Sequence, residues 1–116
     1  MKTDQVQLTL LFDEYGQLLT EKQRDCFDLY FNQDLSLAEI ADELHISRQG
    51  VHDTVSRAEA TLREMERALG NVSREQEIRA AVEEIAACAS ALAASDDTTV
   101  RALADRISNT VSTLLL

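Results

Sequence analysis

The sequence predicts an all-α protein, a helix-turn-helix bundle with a long recognition helix followed by a C-terminal helical hairpin. Three observations carry that expectation. There is no proline in the 116 residues and aromatic residues make up 4%, so nothing interrupts helices and little favours strands. Apolar residues recur at helical spacing along most of the chain. Capping boxes, in which a Ser or Thr side chain and a Glu or Gln three residues on satisfy each other's backbone donors, stand at Thr20 with Gln23 and at Ser36 with Glu39.

Val6, Leu8, Leu11, Phe12, Tyr15, Leu18 and Leu19 form a stripe that predicts a core helix from about Gln5 to Tyr15, closed by Gly16. Thr20 opens a second helix whose apolar side is Cys26, Phe27, Leu29, Tyr30 and Phe31. Most aromatic residues fall in these two helices, so they are expected to hold the hydrophobic centre. Asn32-Gln33-Asp34-Leu35 has turn chemistry. Ser36 then caps a short helix reaching Leu44, with Ile40, Ala41 and Leu44 on one face, and Ser47 offers a new N-cap three residues later. Helices joined so tightly must cross steeply, which is the helix-turn-helix arrangement. Ala41 lets the second helix approach, and Ile46 and Val51 seal the corner.

The pattern of the second motif helix continues past the motif. Val51, Val55, Ala58, Leu62, Met65 and Leu69 form a heptad stripe, which predicts a helix from Arg48 to Leu69 closed by Gly70. Such a helix is roughly 33 Å long, so its far end should project beyond a four-helix core. Asn71-Val72-Ser73 reads as a joint, with Ser73 and Gln76 as a further cap. Ile78, Val82, Ile85, Ala89 and Leu92 follow at helical spacing. After Ser95-Asp96-Asp97, Val100, Leu103, Ile107, Val111 and Leu114 repeat the pattern. The alanines at 80, 81, 86, 87, 89, 91, 93 and 94 permit close helix approach.

The chain therefore divides into a helix-turn-helix domain, residues 1–70, and a helical hairpin, residues 71–116. The long helix and the hairpin can cover one another in one chain, or two chains can share the surface as a homodimer, which the terminal Leu114-Leu115-Leu116 favours. The dimer or partner face would comprise Leu62, Met65 and Leu69 with the stripe residues Ile78, Val82, Ile85, Leu92, Val100, Leu103, Ile107, Val111 and Leu114.

Charge restrains the obvious function. The formal net charge is −10, and residues 1–70 hold seven basic against fourteen acidic residues. Duplex DNA is bound mainly by neutralising phosphates, so the few cations must gather on one face. Pointing outward from the start of the second motif helix are Ser47, Arg48, Gln49, His52, Asp53, Ser56 and Arg57. Arg and Gln can pair bidentately with guanine and adenine, and Ser47 with the free helix-start N–H groups can hold a phosphate. Gly50 would let a groove wall approach, and His52 and Arg57 reach further phosphates, with Lys22 and Arg24 in support. Asp53 opposes this unless Arg57, four residues on, pairs with it. The blander reading is a solvated helix face with Ser47 serving only as a cap.

No nucleophile–base pair, Gly-rich phosphate loop or Cys/His cluster occurs, so neither an enzyme nor a bound metal or cofactor is expected, and His45 and His52 are too few for a metal site. Cys26 and Cys88 read as small buried hydrophobes, and Glu83-Glu84 and Asp96-Asp97 as solvating acids. No apolar run approaches a membrane span, and Met-Lys-Thr-Asp-Gln is not followed by a signal-peptide core, which suggests a cytoplasmic protein without membrane insertion.

The run YFNQDLSLAEIADELHISRQGVHDTVSRAE resembles the YlxM family, small bacterial helix-turn-helix proteins similar to region 4 of sigma factors and usually encoded beside the signal recognition particle (SRP) genes. The resemblance spans roughly residues 8–68. Its most specific pieces are Asp34-Leu35-Ser36-Leu37, Glu39-Ile40-Ala41, and Ile46-Ser47-Arg48-Gln49 followed by Val51 and Asp53. At the turn position that is usually Gly, this chain has His45, which must tolerate a positive φ or reshape the turn. The resemblance implies a modulator of SRP-dependent targeting, with the SRP GTPase Ffh, its RNA or regulatory DNA as partners. The competing reading is a protein-interaction adaptor that keeps the motif as a scaffold.

Overall fold

The structure is a computed structural model that describes residues 4–114, so Leu115 and Leu116 of the terminal leucine run lie outside the described residues. The described residues form six α-helices and no strand: α1 Gln5–Tyr15, α2 Glu21–Phe27, α3 Leu37–Leu44, α4 Arg48–Leu69, α5 Asn71–Leu92 and α6 Thr98–Leu114. They fall into two compact units, which divide between Val72 and Ser73.

In the first unit both capping boxes form as the sequence predicts. Thr20 Oγ1 accepts from the Gln23 N–H while Gln23 Oε1 accepts from the Thr20 N–H, and Ser36 and Glu39 repeat the exchange. α2 runs on into a π-helical turn, Asp28–Asn32, whose wide turn is closed by Asp28 accepting from both the Asn32 and Gln33 side chains. A short 3-10 turn, Gly16–Leu18, follows α1. Gly16 ends α1 where the sequence places the stop, and does so in right-handed backbone. Its role is close approach: a Cβ there would stand 3.2 Å from the Phe12 ring.

The aromatic centre assembles around Phe27, which stacks on Phe12 at 4.6 Å and meets Phe31 at 4.6 Å. Leu8, Leu11, Tyr15, Ile40, Val51, Val55, Ala58 and Leu62 close the core around it. Leu62 is wholly buried there and Met65 packs half-buried against it, because α1 and α2 both lie along α4. The long helix is thus covered well past the motif, and Leu62 does not belong to an open partner face. Leu69 stays 50% exposed. Two stripe residues expected in the core, Val6 and Leu18, are exposed at the ends of α1 and its 3-10 turn.

The chain passes from α4 to α5 more abruptly than expected. Gly70 takes the left-handed conformation, φ 64°, and α5 begins at Asn71. Ser73 therefore sits inside α5 and is no N-cap, and Val72 is buried in the core of the first unit.

In the second unit, Asp97 caps α6 by accepting from the Thr99 and Val100 N–H groups, so this acid is structural rather than merely solvating. Val82, Ala89, Ala104 and Val111 are buried, whereas Ile78, Ile85, Leu92, Leu103, Ile107 and Leu114 are exposed and Val100 is half-buried. Among the predicted alanines only Ala89 is buried. Cys88 is exposed on α5, which corrects the expectation of two buried thiols; Cys26 is buried, and burial pushes its thiol pKa up.

Candidate nucleic-acid interface

The motif is α3, the turn at His45 and Ile46, and α4. His45 adopts the left-handed conformation, φ 59° and ψ 42°, and the Ile46 N–H donates to the Ala41 carbonyl. That bond closes α3 as a Schellman turn, with Ile46 packing into the core beside the helix it ends. Left-handed backbone costs a residue with a Cβ roughly 1–2 kcal/mol, so His45 holds the turn under strain.

Ser47 starts α4 by accepting the Gly50 N–H at 2.9 Å. A Cβ on Gly50 would stand 3.0 Å from the Ser47 hydroxyl, so the glycine makes room for its own cap. This is a reason within the fold for a residue that costs about 1 kcal/mol in a helix interior, beside the close groove approach the sequence suggests.

With Val51, Val55 and Ala58 buried, the side chains of Ser47, Arg48, Gln49, His52, Asp53, Ser56 and Arg57 are all exposed on the opposite side of α4. Asp53 does not pair with Arg57. Its Oδ1 instead accepts a 2.9 Å hydrogen bond from Gln49 Nε2 and lies 3.6 Å from His52 Nδ1. The i,i+4 spacing from Gln49 to Asp53 equals that from Asp53 to Arg57, so the pairing was present in the sequence without being singled out by it.

The cations of α4 divide by position. Arg63 pairs with Asp4 at 3.4 Å and Arg67 pairs with Glu64, both toward the C-terminal end. Arg48 and Arg57, on the motif face, make no ion pair among the described residues. Lys22 is exposed beside the turn, lining a shallow groove with Thr20, Glu21, Asp25, Leu44 and Ile46, so two acids dilute its charge there. Arg24 is half-buried on α2. Glu59, two turns along α4 from His52, has its carboxyl pushed above the usual value by burial, with Arg63 acting in the opposite direction.

Sequence reasoning missed one arrangement entirely. Tyr15, 2% exposed, donates its hydroxyl to Glu66, and that hydroxyl accepts the Asn71 N–H. Burial, and secondarily Glu66, pushes the Tyr15 phenol above its usual value. Among the described residues no group of three or more His, Cys, Asp and Glu could hold a metal ion, and no helix is long and apolar enough to cross a membrane.

Comparison with known proteins extends the likeness beyond the motif. The family described as "Putative helix-turn-helix protein, YlxM / p13 like" matches residues 2–101, which takes in α1 to α5 and the start of α6. A UPF0122 protein of Thermoanaerobacter sp. (strain X514) is 54% identical over 78 residues, 67% of each chain. Another, from Caldanaerobacter subterraneus subsp. tengcongensis, is 48% identical over 88 residues, 76% of this chain and 75% of its own. A third, from Symbiobacterium thermophilum, is 49% identical over 73 residues, 63% of this chain and 68% of its own. With a helix-turn-helix built from α3, His45, Ile46 and α4, and with a match over nearly the whole chain, this protein belongs to the UPF0122 family of YlxM / p13-like helix-turn-helix proteins.

Proposed function

We propose that this chain is a non-enzymatic nucleic-acid-binding protein that presents the first half of α4 to its target and modulates SRP-dependent protein targeting in the cytoplasm. The observation that carries the binding reading is the division of cations along α4: Arg48 and Arg57 stay uncommitted on the face that also bears Ser47, Gln49, His52 and Ser56, while Arg63 and Arg67 are neutralised away from it. In a helix-turn-helix this half of the second helix is the part that enters the major groove. Ser47 and the helix start supply phosphate ligands, and Arg48 and Gln49 supply base contacts. The surplus of acid elsewhere limits nonspecific binding by repelling phosphates from the rest of the surface.

The SRP role rests on the family resemblance, with SRP RNA, the GTPase Ffh and regulatory DNA as partners. A fluorescence-anisotropy titration with labelled SRP RNA, with and without Ffh and with duplex DNA as competitor at near-physiological salt, tests it. Saturable RNA binding that DNA fails to displace supports the SRP role. Displacement by DNA, or absence of RNA binding, replaces it with transcriptional regulation.

One observation favours a homodimer as well. Ile78, Ile85, Leu92, Leu103, Ile107 and Leu114 are all more than a third exposed on α5 and α6, an apolar strip long enough to bind a second copy. Arg106 and Glu84 border this strip beside Ile85 and Ile107, so a two-fold arrangement can set opposite charges against each other. Sedimentation equilibrium of the full chain and of Ile85→Asp tests the dimer: a monomeric wild type would dismiss it and leave the strip to a protein partner, as an adaptor would use it.

A further inference from the structure

The geometry points to Asp53 as a positioning residue that fixes the Gln49 carboxamide so that α4 reads adenine in the major groove of duplex DNA. The inference rests on the nucleic-acid reading above and names what its face selects. Gln49 Nε2 donates to Asp53 Oδ1 at 2.9 Å, one helical turn away on an exposed face. A carboxylate only accepts, so only the NH2 end of Gln49 can face it, and the two ends of the amide are assigned by chemistry. One Nε2 hydrogen and the Oε1 acceptor remain free to face outward. Their complement is an acceptor beside a donor, which is what adenine offers at N7 and N6. Guanine presents two acceptors there and would set O6 against Oε1.

Two further observations support this role. His52 Nδ1 lies 3.6 Å from the same Asp53 oxygen, so the carboxylate stands between two neighbours on this face. Arg57 does not neutralise it, so Asp53 brings an uncompensated negative charge toward the phosphates. A charge that opposes binding in general has a use in the contact face if it directs the residue that reads the base.

The test uses the full chain and duplexes selected from a randomised pool, followed by single A·T to G·C replacements within the selected site and anisotropy titrations. Wild type is expected to prefer adenine by roughly tenfold at one position, and Gln49→Ala to abolish that preference. Asp53→Ala is expected to reduce it to about twofold or less. Asp53→Asn removes the charge and adds a donor that can face the other end of the Gln49 amide, so it should weaken the preference while binding every duplex more tightly. Either variant retaining the full wild-type preference overturns the positioning role and leaves the DNA reading intact. A wild-type protein that selects a site with no Gln49-dependent adenine has the same consequence. Failure of wild type to bind any duplex overturns both. Circular dichroism melts of each variant confirm folding, and Asp53→Asn carries the test if Asp53→Ala does not fold.

Discussion

The Tyr15 hydroxyl donates a 2.7 Å hydrogen bond to Oε1 of Glu66, joining residues 51 positions apart in sequence. The same Oε1 accepts the Val72 N–H at 3.0 Å, and the Tyr15 oxygen accepts the Asn71 N–H at 3.2 Å. These two amides open α5 directly after Gly70, so they have no partners one turn back in their own helix. Tyr15 and Glu66 therefore cap these first two residues of α5, which belong to the first unit, and tie them to the end of α1. Tyr15→Phe removes the donor and an acceptor while keeping the buried ring. It should lower Tm by roughly 5–10 °C and speed amide exchange at Asn71 and Val72, leaving the Ser47 end of α4 protected. Unchanged exchange at these two amides would mean that the network does not hold the junction.

His45 supplies the opposite kind of test, because its backbone is strained and its side chain is exposed. His45→Gly relieves the left-handed conformation at the expense of a more flexible unfolded chain, for a net gain of about 0.5–1 kcal/mol. Urea denaturation measures it. DNA or RNA affinity should not change, since the turn lies before the proposed contact face. A loss of stability would show that His45 makes a contribution outweighing its backbone strain.

Glu59 gives the pH dependence. Its carboxyl titrates above the usual 4.5, chiefly through burial, with Arg63 opposing the shift. A raised folded value means that the contribution to stability is complete below about pH 4.5 and is lost as pH rises through the folded value. Ionised Glu59 is thus a mild liability at neutral pH. Glu59→Gln should raise Tm by roughly 1–3 °C at pH 7 and by nothing at pH 4, where both side chains are neutral. An equal gain at both pH values would assign the effect to something other than ionisation.

What the sequence discloses and what it hides divide along the distance over which each interaction acts. Thr20 with Gln23 and Ser36 with Glu39 are legible because a capping box is complete within four residues. The limits of α4 are legible for a similar reason, as Ser47 and Gly70 mark its ends locally. Periodicity says that a residue lies on the apolar face and not whether that face has a neighbour. Leu62 is therefore core while Ile85, with equally regular spacing, is exposed, and Val6 and Leu18 fall outside the core at helix ends. Tyr15 and Glu66 meet only through the tertiary fold, and no local signal announces them. On the exposed face of α4 the candidates were readable from helical geometry, but Asp53 had two possible partners at the same spacing, and only the structure assigns it to Gln49.

The uncommitted arginines make the sharpest prediction about binding. Each phosphate contact releases condensed counterions, so removing one lowers the slope of log affinity against log salt by about 1. Arg57→Ala should reduce both the affinity for duplex DNA and this slope. Arg67→Ala removes the same formal charge from the same helix, yet Arg67 already pairs with Glu64 toward the far end. Its slope should stay at the wild-type value. Anisotropy titrations at a series of salt concentrations compare the two variants at matched net charge, so a difference between them reports position and not overall charge. Equal slopes for both would mean that the protein's total charge governs binding and that the first half of α4 is not the surface DNA meets.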